Sequence, residues 1–205
     1  NLSRLLSQIG EYFYTVSEDA VWTGLYGASD GDIQLENGAA FQIHQETGYP
    51  YDGAIRFRFD RIRQEKPWNL MLRIPGWAEH GTLTVNGQRT EITSADAGTY
   101  RLVEIAHTEG TVVELVLNMP VRLTVANSMV EETENHAAVE RGPLVYCMES
   151  PDVSAETLDH LIIPADVDFQ TERGRLEGRE ITVLHADFWY LEQENYDRNA
   201  LYQTL

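Results

Sequence analysis

The groups in this sequence that could do chemistry are two close carboxylates, one thiol, six imidazoles and a set of turn aromatics. Glu46 and Asp52 would make a hydrolytic pair if one were protonated and the other ionised across a fixed gap. The dipeptide Asp52-Gly53 argues against that use, because Asp-Gly is a leading hairpin turn in which the carboxylate serves the local backbone. Glu131, Glu132 and Glu134 read as a solvated charge run in a connection. The histidines His44, His80, His107, His136, His160 and His185 never repeat at the three- or four-residue spacing that lets one helix face grip a metal, so no metal site is expected. Cys147 sits in Leu144-Val145-Tyr146-Cys147-Met148, an apolar strand pattern in which a free thiol is expected to be a small buried hydrophobe. There is no Gly-x-Ser-x-Gly, no phosphate-binding loop and no dinucleotide fingerprint, and no catalytic residue is assigned. Tyr49, Tyr51, Trp68 and Trp77 lie in or beside turns. Exposed and coplanar, Tyr49, Tyr51 and Trp77 would offer a platform for sugar rings; buried, they would plug the ends of a β-sandwich core.

Composition narrows the partners. The chain has 205 residues, with 15 Lys and Arg against 33 Asp and Glu, a formal net charge of −18. That length holds one large domain or two small ones and needs no disulfide or metal to be stable. The charge repels phosphate backbones and anionic membrane surfaces, so nucleic acid and membrane are poor partners. Residues 1–120 carry 9 bases and 16 acids, and residues 121–205 carry 6 bases and 17 acids, so both parts are acidic. A single cysteine rules out an internal disulfide framework and leaves the compartment open. No run reaches the length of a membrane span, and no basic start precedes an apolar stretch.

The elements that must position these groups follow from periodicity. Leu2, Leu5, Leu6, Ile9, Tyr12 and Phe13 recur at helical spacing with Asn1 as an N-cap, predicting a helix of about fifteen residues that is marginal on its own. Asn1-Leu2-Ser3 also matches a glycosylation acceptor, but it opens that helix. From Ala20 the period becomes two. Ile55, Phe57 and Phe59 alternate with Arg56, Arg58 and Asp60; Leu70, Leu72 and Ile74 alternate with Met71 and Arg73; Val113, Leu115 and Leu117 alternate with Glu114 and Val116. Turn signals at Asp30-Gly31, Asn37-Gly38, Asp52-Gly53, Asn86-Gly87 and Glu109-Gly110 separate short strands. The expected fold is all-β: two antiparallel β-sandwich units preceded by one N-terminal α-helix, divided as 1–17, 18–120 and 121–205. The second sandwich reads as incomplete, with strands over 121–126, 137–140, 144–148 and 181–184.

Several strings are familiar together. Gln45-Glu46-Thr47-Gly48-Tyr49-Pro50-Tyr51-Asp52-Gly53, Leu72-Arg73-Ile74-Pro75-Gly76-Trp77-Ala78, Val85-Asn86-Gly87, Met119-Pro120-Val121-Arg122 and Glu140-Arg141-Gly142-Pro143-Leu144-Val145-Tyr146-Cys147 resemble, in order and spacing, the C-terminal region of glycoside hydrolase family 127 or the related family 146. The likeness covers residues 1–150. It implies a retaining β-L-arabinofuranosidase in which an (α/α)6 barrel with a zinc-bound cysteine nucleophile and a glutamate acid/base precedes two β-sandwiches. Asn1 aligns with the asparagine ending the family's Cys-Cys-Pro-Pro-Asn motif, so no catalytic residue and no zinc ligand carries over to this chain; zinc is implied for the full-length protein only. The same resemblance makes residues 1–17 the last barrel helix and the chain a fragment, lacking the Trp-Asn-Arg-Gly string that relatives reach later. Its implied partner is the barrel. Carbohydrate is a second candidate partner, through Tyr49, Tyr51 and Trp77, and self-association through Leu2, Leu5, Leu6 and Ile9 a third. The alternatives to the accessory reading are a carbohydrate-binding module and a plain structural or interaction sandwich.

Overall fold

The computed structural model describes residues 2–152, 158 and 161–190. Asn1, His160 and the final stretch 192–205 singled out in the sequence lie outside them. The chain forms two units, one of Asn1–Arg122 with Glu140–Leu144 and one of Leu123–Val139 with Val145–Leu205.

The strands of the first unit are β1 (Tyr14–Val16), β2 (Ala20–Thr23), β3 (Ser29–Gln34), β4 (Ala40–Thr47), β5 (Ala54–Gln64), β6 (Trp68–Arg73), β7 (Gly81–Val85), β8 (Gln88–Ile92), β9 (Tyr100–Ile105) and β10 (Val112–Leu117). They make a four-stranded sheet of order β1-β2-β6-β9 and a six-stranded sheet of order β3-β4-β5-β10-β7-β8. The period-two pattern does what it predicts. Ile55, Phe57 and Phe59 of one sheet and Leu70, Leu72 and Ile74 beside the other are all buried in a single core, while Arg56, Arg58 and Asp60 face out. Trp68 of β6 stacks on Phe41 of β4 at 4.5 Å and meets Phe59 of β5 edge-on at 5.2 Å, binding the two sheets through aromatic contact. Its indole N–H is satisfied inside the core by Thr108 Oγ1 at 3.0 Å.

Three local readings are corrected. The helix α1 runs only Leu2–Gln8 and passes into a 3₁₀ turn at Ile9–Tyr12. Gly10 weakens the helix interior, and Tyr14-Thr15-Val16, β-prone residues, find a partner in β2 and become β1. Asp30-Gly31 is no turn but lies within β3, paired with His44 and Ile43. The sandwich also contains one parallel pair, β2 with β6, in an otherwise antiparallel set. The expected hairpin at Asn86-Gly87 forms with φ of 50° and 85°, the left-handed pair of a type I′ turn between β7 and β8.

Beyond β10 come β11 (Val121–Val125), β12 (Ala137–Arg141) and β13 (Leu144–Tyr146) in one three-stranded sheet, then β14 (Leu161–Ile162), β15 (Gln170–Leu176), β16 (Arg179–His185) and β17 (Trp189–Tyr190). In the second unit β15 and β16 form a hairpin about Glu177-Gly178, and β14 pairs with β17. Among the described residues of that unit none is buried, so it is held by ladders and edges rather than by an apolar centre. No helix in the described residues is long and apolar enough to cross a membrane.

Candidate functional site

Four of the motif strings of the first unit meet at one end of the sandwich, by Gly53 and Leu117, while Asn86-Gly87 turns at the other end of β10 beside Val112. The β4–β5 loop is built from its own polar groups: Thr47 Oγ1 accepts from Tyr49 N at 3.0 Å, Asp52 Oδ1 accepts from Ala54 N at 3.0 Å, and Gly48 O accepts from Tyr51 N at 3.0 Å. Gly53 lies flat against β10, where an added Cβ would stand 2.0 Å from the Leu117 carbonyl oxygen. Only glycine allows that approach. Asp52 is thus a turn carboxylate, and Glu46 is engaged separately by Arg58 on the outer sheet face. The two do not form a working pair.

Two aromatic residues of the expected platform do come together. The Trp77 side chain lies beside the Tyr49 hydroxyl, and Tyr49 packs edge-on against Tyr26 at 5.8 Å. Burial pushes the Tyr49 hydroxyl above its ordinary pKa, with Arg73 and Trp77 pulling the other way. Burial likewise raises Tyr26, whose hydroxyl donates to the Arg73 carbonyl at 2.6 Å. Tyr49, Tyr51 and Trp77 are each half-buried, and Tyr49 and Trp77 pack against the core. Arg141 reaches across from the β12–β13 segment to donate to the Tyr51 carbonyl at 2.9 Å, with Met119 Sδ at 3.8 Å from the same nitrogen. Gly142, at φ of 58°, sits over the Met119 side chain. Arg122 pairs with Glu79 at 3.3 Å. The Nε atoms of Arg73 and Arg141 are buried without a hydrogen-bond partner among the described residues. Taken together, these groups can lock loops and present half-covered rings beside guanidinium groups; they place no nucleophile beside a base.

Cys147 is a correction. It follows the end of β13 and is exposed, because the inward positions of that strand are Leu144 and Tyr146 and the chain leaves the sheet after them. Among the described residues no three His, Cys, Asp or Glu side chains converge so as to hold a metal ion. The donor set therefore does not fit the zinc that the resemblance implies for the full-length protein. Glu131, Glu132 and Glu134 are exposed in and after a 3₁₀ turn, as a solvated run should be.

The sequence reading missed His44. Its Nδ1 lies 2.5 Å from Asp30 Oδ1 and its Nε2 lies 3.0 Å from Asp60 Oδ1, on the outer face of the six-stranded sheet. The available signal was the hairpin turn at Asn37-Gly38, which sets Asp30 opposite His44 once Asp30 is read as strand.

The comparisons with known proteins agree with one another. Residues 20–119 match the family described as Beta-L-arabinofuranosidase, GH127 middle domain, and residues 121–191 match the Glycoside hydrolase family 127 C-terminal domain. A non-reducing end β-L-arabinofuranosidase of Bifidobacterium longum subsp. longum is 30% identical over 155 residues, 74% of this chain and 23% of that protein. A solved structure named glycoside hydrolase superposes with a TM-score of 0.87 at 36% identity, covering 98% of this chain and 33% of the other. Ara127N-Se, a GH127 β-L-arabinofuranosidase from Geobacillus stearothermophilus T6, superposes with a TM-score of 0.87 at 29% identity over all of this chain and 32% of its own. The chain spans a quarter to a third of the length of these relatives. With both domains matched in order along one β-rich chain, it belongs to glycoside hydrolase family 127, whose middle and C-terminal domains it carries.

Proposed function

We propose that this chain is the non-catalytic β-sandwich region of a retaining β-L-arabinofuranosidase that acts on arabinose-containing glycans, the bond-breaking groups being carried by an (α/α)6 barrel that packs on α1. The observation that supports this reading is the apolar stripe that runs along α1 and the 3₁₀ turn after it. Leu2, Leu5, Leu6, Ile9 and Tyr12 are all exposed, from 42% to 70%, and α1 buries no residue. At about 25 cal/mol per Å², a stripe on the order of several hundred Å² leaves several kcal/mol of burial unmet. A seven-residue helix cannot hold such a face in water by propensity alone, so the stripe asks for a partner surface. A neighbouring barrel helix meets that need. The sandwich then serves as a rigid buttress, its motif loops tied by Arg141, Gly53 and the Tyr49–Trp77 pair.

The test is turnover of an aryl β-L-arabinofuranoside. The purified chain should show none, with or without added zinc, and co-expression with a barrel polypeptide should bring zinc-dependent turnover. Hydrolysis by the chain alone, lost in Cys147→Ala, would overturn the proposal.

A further inference from the structure

Both ring nitrogens of His44 face carboxylates that can only accept. Asp30 comes from β3 on one side and Asp60 from β5 on the other, at 2.5 and 3.0 Å, so one imidazole on the middle strand spans three adjacent strands. A neutral imidazole has one N–H and leaves one carboxylate facing a lone pair; only the imidazolium gives each carboxylate a proton. The Asp60 contact is bent, a charge contact more than an aligned hydrogen bond. The Asp30 contact is the shorter and is aligned.

The strand at stake is weak by composition. β3 is Ser-Asp-Gly-Asp-Ile-Gln, it is the edge of its sheet, and only Ile33 in it is buried. Aspartate and glycine are poor strand formers, so its attachment to β4 leans on side chains. We propose that the Asp30–His44–Asp60 bridge is a pH-sensitive latch, closed on edge strand β3 while His44 is protonated and loosened when it is not.

The surrounding charges are otherwise committed. On β3, Asp32 pairs with Arg63 at 3.0 Å; on β4, Glu46 pairs with Arg58; between β5 and β10, Arg56 lies 3.6 Å from Glu114. Arg58 stands directly opposite His44 in register, a like charge whose effect Glu46 offsets. From β1, Tyr14 lies within the field of Asp30, and its hydroxyl is held by Ser29 and Gln45. The remaining titratable partners of the imidazole are therefore the two aspartates. Asp60 first and Asp30 second hold the His44 pKa above its ordinary 6.5. A group whose pKa is raised in the closed state stabilises that state fully below its open-state pKa, and the contribution is lost as pH rises through the closed-state value. The window lies above pH 6.5.

The experiment pairs two measurements on the whole chain. The His44 pKa is read by NMR in the native chain and in Asp30→Asn, which keeps Asp60 and so stands in for the open state. Amide exchange of β3 is followed from pH 6 to 9, corrected for the intrinsic rise of exchange with pH, with β6 amides as internal reference. For each pKa unit separating the two chains, the β3 opening constant should rise about tenfold across the window while β6 stays level. His44→Gln should hold β3 at its high-pH exchange and abolish the dependence. A His44 pKa at or below 6.5, β3 protection that ignores the titration, or an unchanged pH dependence in His44→Gln would each overturn the proposal.

Discussion

Phe57 is fully buried at the centre of the core, whereas Arg58, its neighbour in sequence, is half-exposed and pairs with Glu46 on the opposite face. Phe57→Ala should cost about 3–5 kcal/mol in urea unfolding, and Arg58→Ala no more than about 1 kcal/mol, the range of an exposed ion pair. Equal losses would mean that the two faces are exchanged. Asp96 offers a second check. Its carboxylate accepts from Thr93 N at 2.9 Å and Thr93 Oγ1 at 3.1 Å and pairs with Arg101 at 3.2 Å. The Thr93 amide above all holds its pKa below the ordinary 3.8. Its contribution is present above that value and lost as pH falls through the folded one, so Asp96→Asn should flatten the acid limb of the stability curve below about pH 4 and leave its shape above pH 5 unchanged. At this scale the sequence told which side chains face in, because alternation alone decides that, as at Phe57. It did not tell which polar groups meet. Asp30 and His44 become neighbours only through a register that the mistaken turn at Asp30-Gly31 hid, and the exposure of Cys147 depends on where β13 ends.

The strands were legible because each is a local period-two pattern between turn dipeptides, and Asn37-Gly38, Asp52-Gly53, Asn86-Gly87 and Glu109-Gly110 all fall between elements. Pairing across the sheets was not. The parallel contact of β2 with β6 joins segments far apart in sequence, and nothing in Ala20–Thr23 itself announces it. The start of the chain failed for the same reason: helical spacing at Leu2–Phe13 is genuine, but β2 recruits Tyr14–Val16 into a strand. What remains of α1 neither docks on the sandwich nor buries a residue, which leaves fraying or self-association for this chain in isolation. Leu5→Glu and Leu6→Glu should change unfolding free energy by less than about 0.5 kcal/mol. They should also shift sedimentation towards monomer over a range of concentrations. A helix that exchanges fast in a strict native monomer would show that the stripe seeks no second copy.

Among the described residues every buried apolar side chain belongs to the first unit, yet that unit is not one stretch of chain: it is closed by Glu140–Leu144 after an excursion through Leu123–Val139. A chain ending at Arg122 loses the donation of Arg141 to the Tyr51 carbonyl, a charge-assisted bond of about 1.5–3 kcal/mol. It should therefore melt several degrees below one ending at Tyr146, and identical melting temperatures would show that the returning segment contributes nothing. The same interruption bears on biogenesis. A chain emerging from the ribosome brings out all ten strands of the sandwich before the guanidinium that fastens the β4–β5 loop has itself emerged. At about 5–20 residues per second, the delay between Arg122 and Leu144 is on the order of one to a few seconds. For that interval the nascent sandwich carries an unfastened end, and chaperone capture or premature pairing with another nascent chain would be concentrated there.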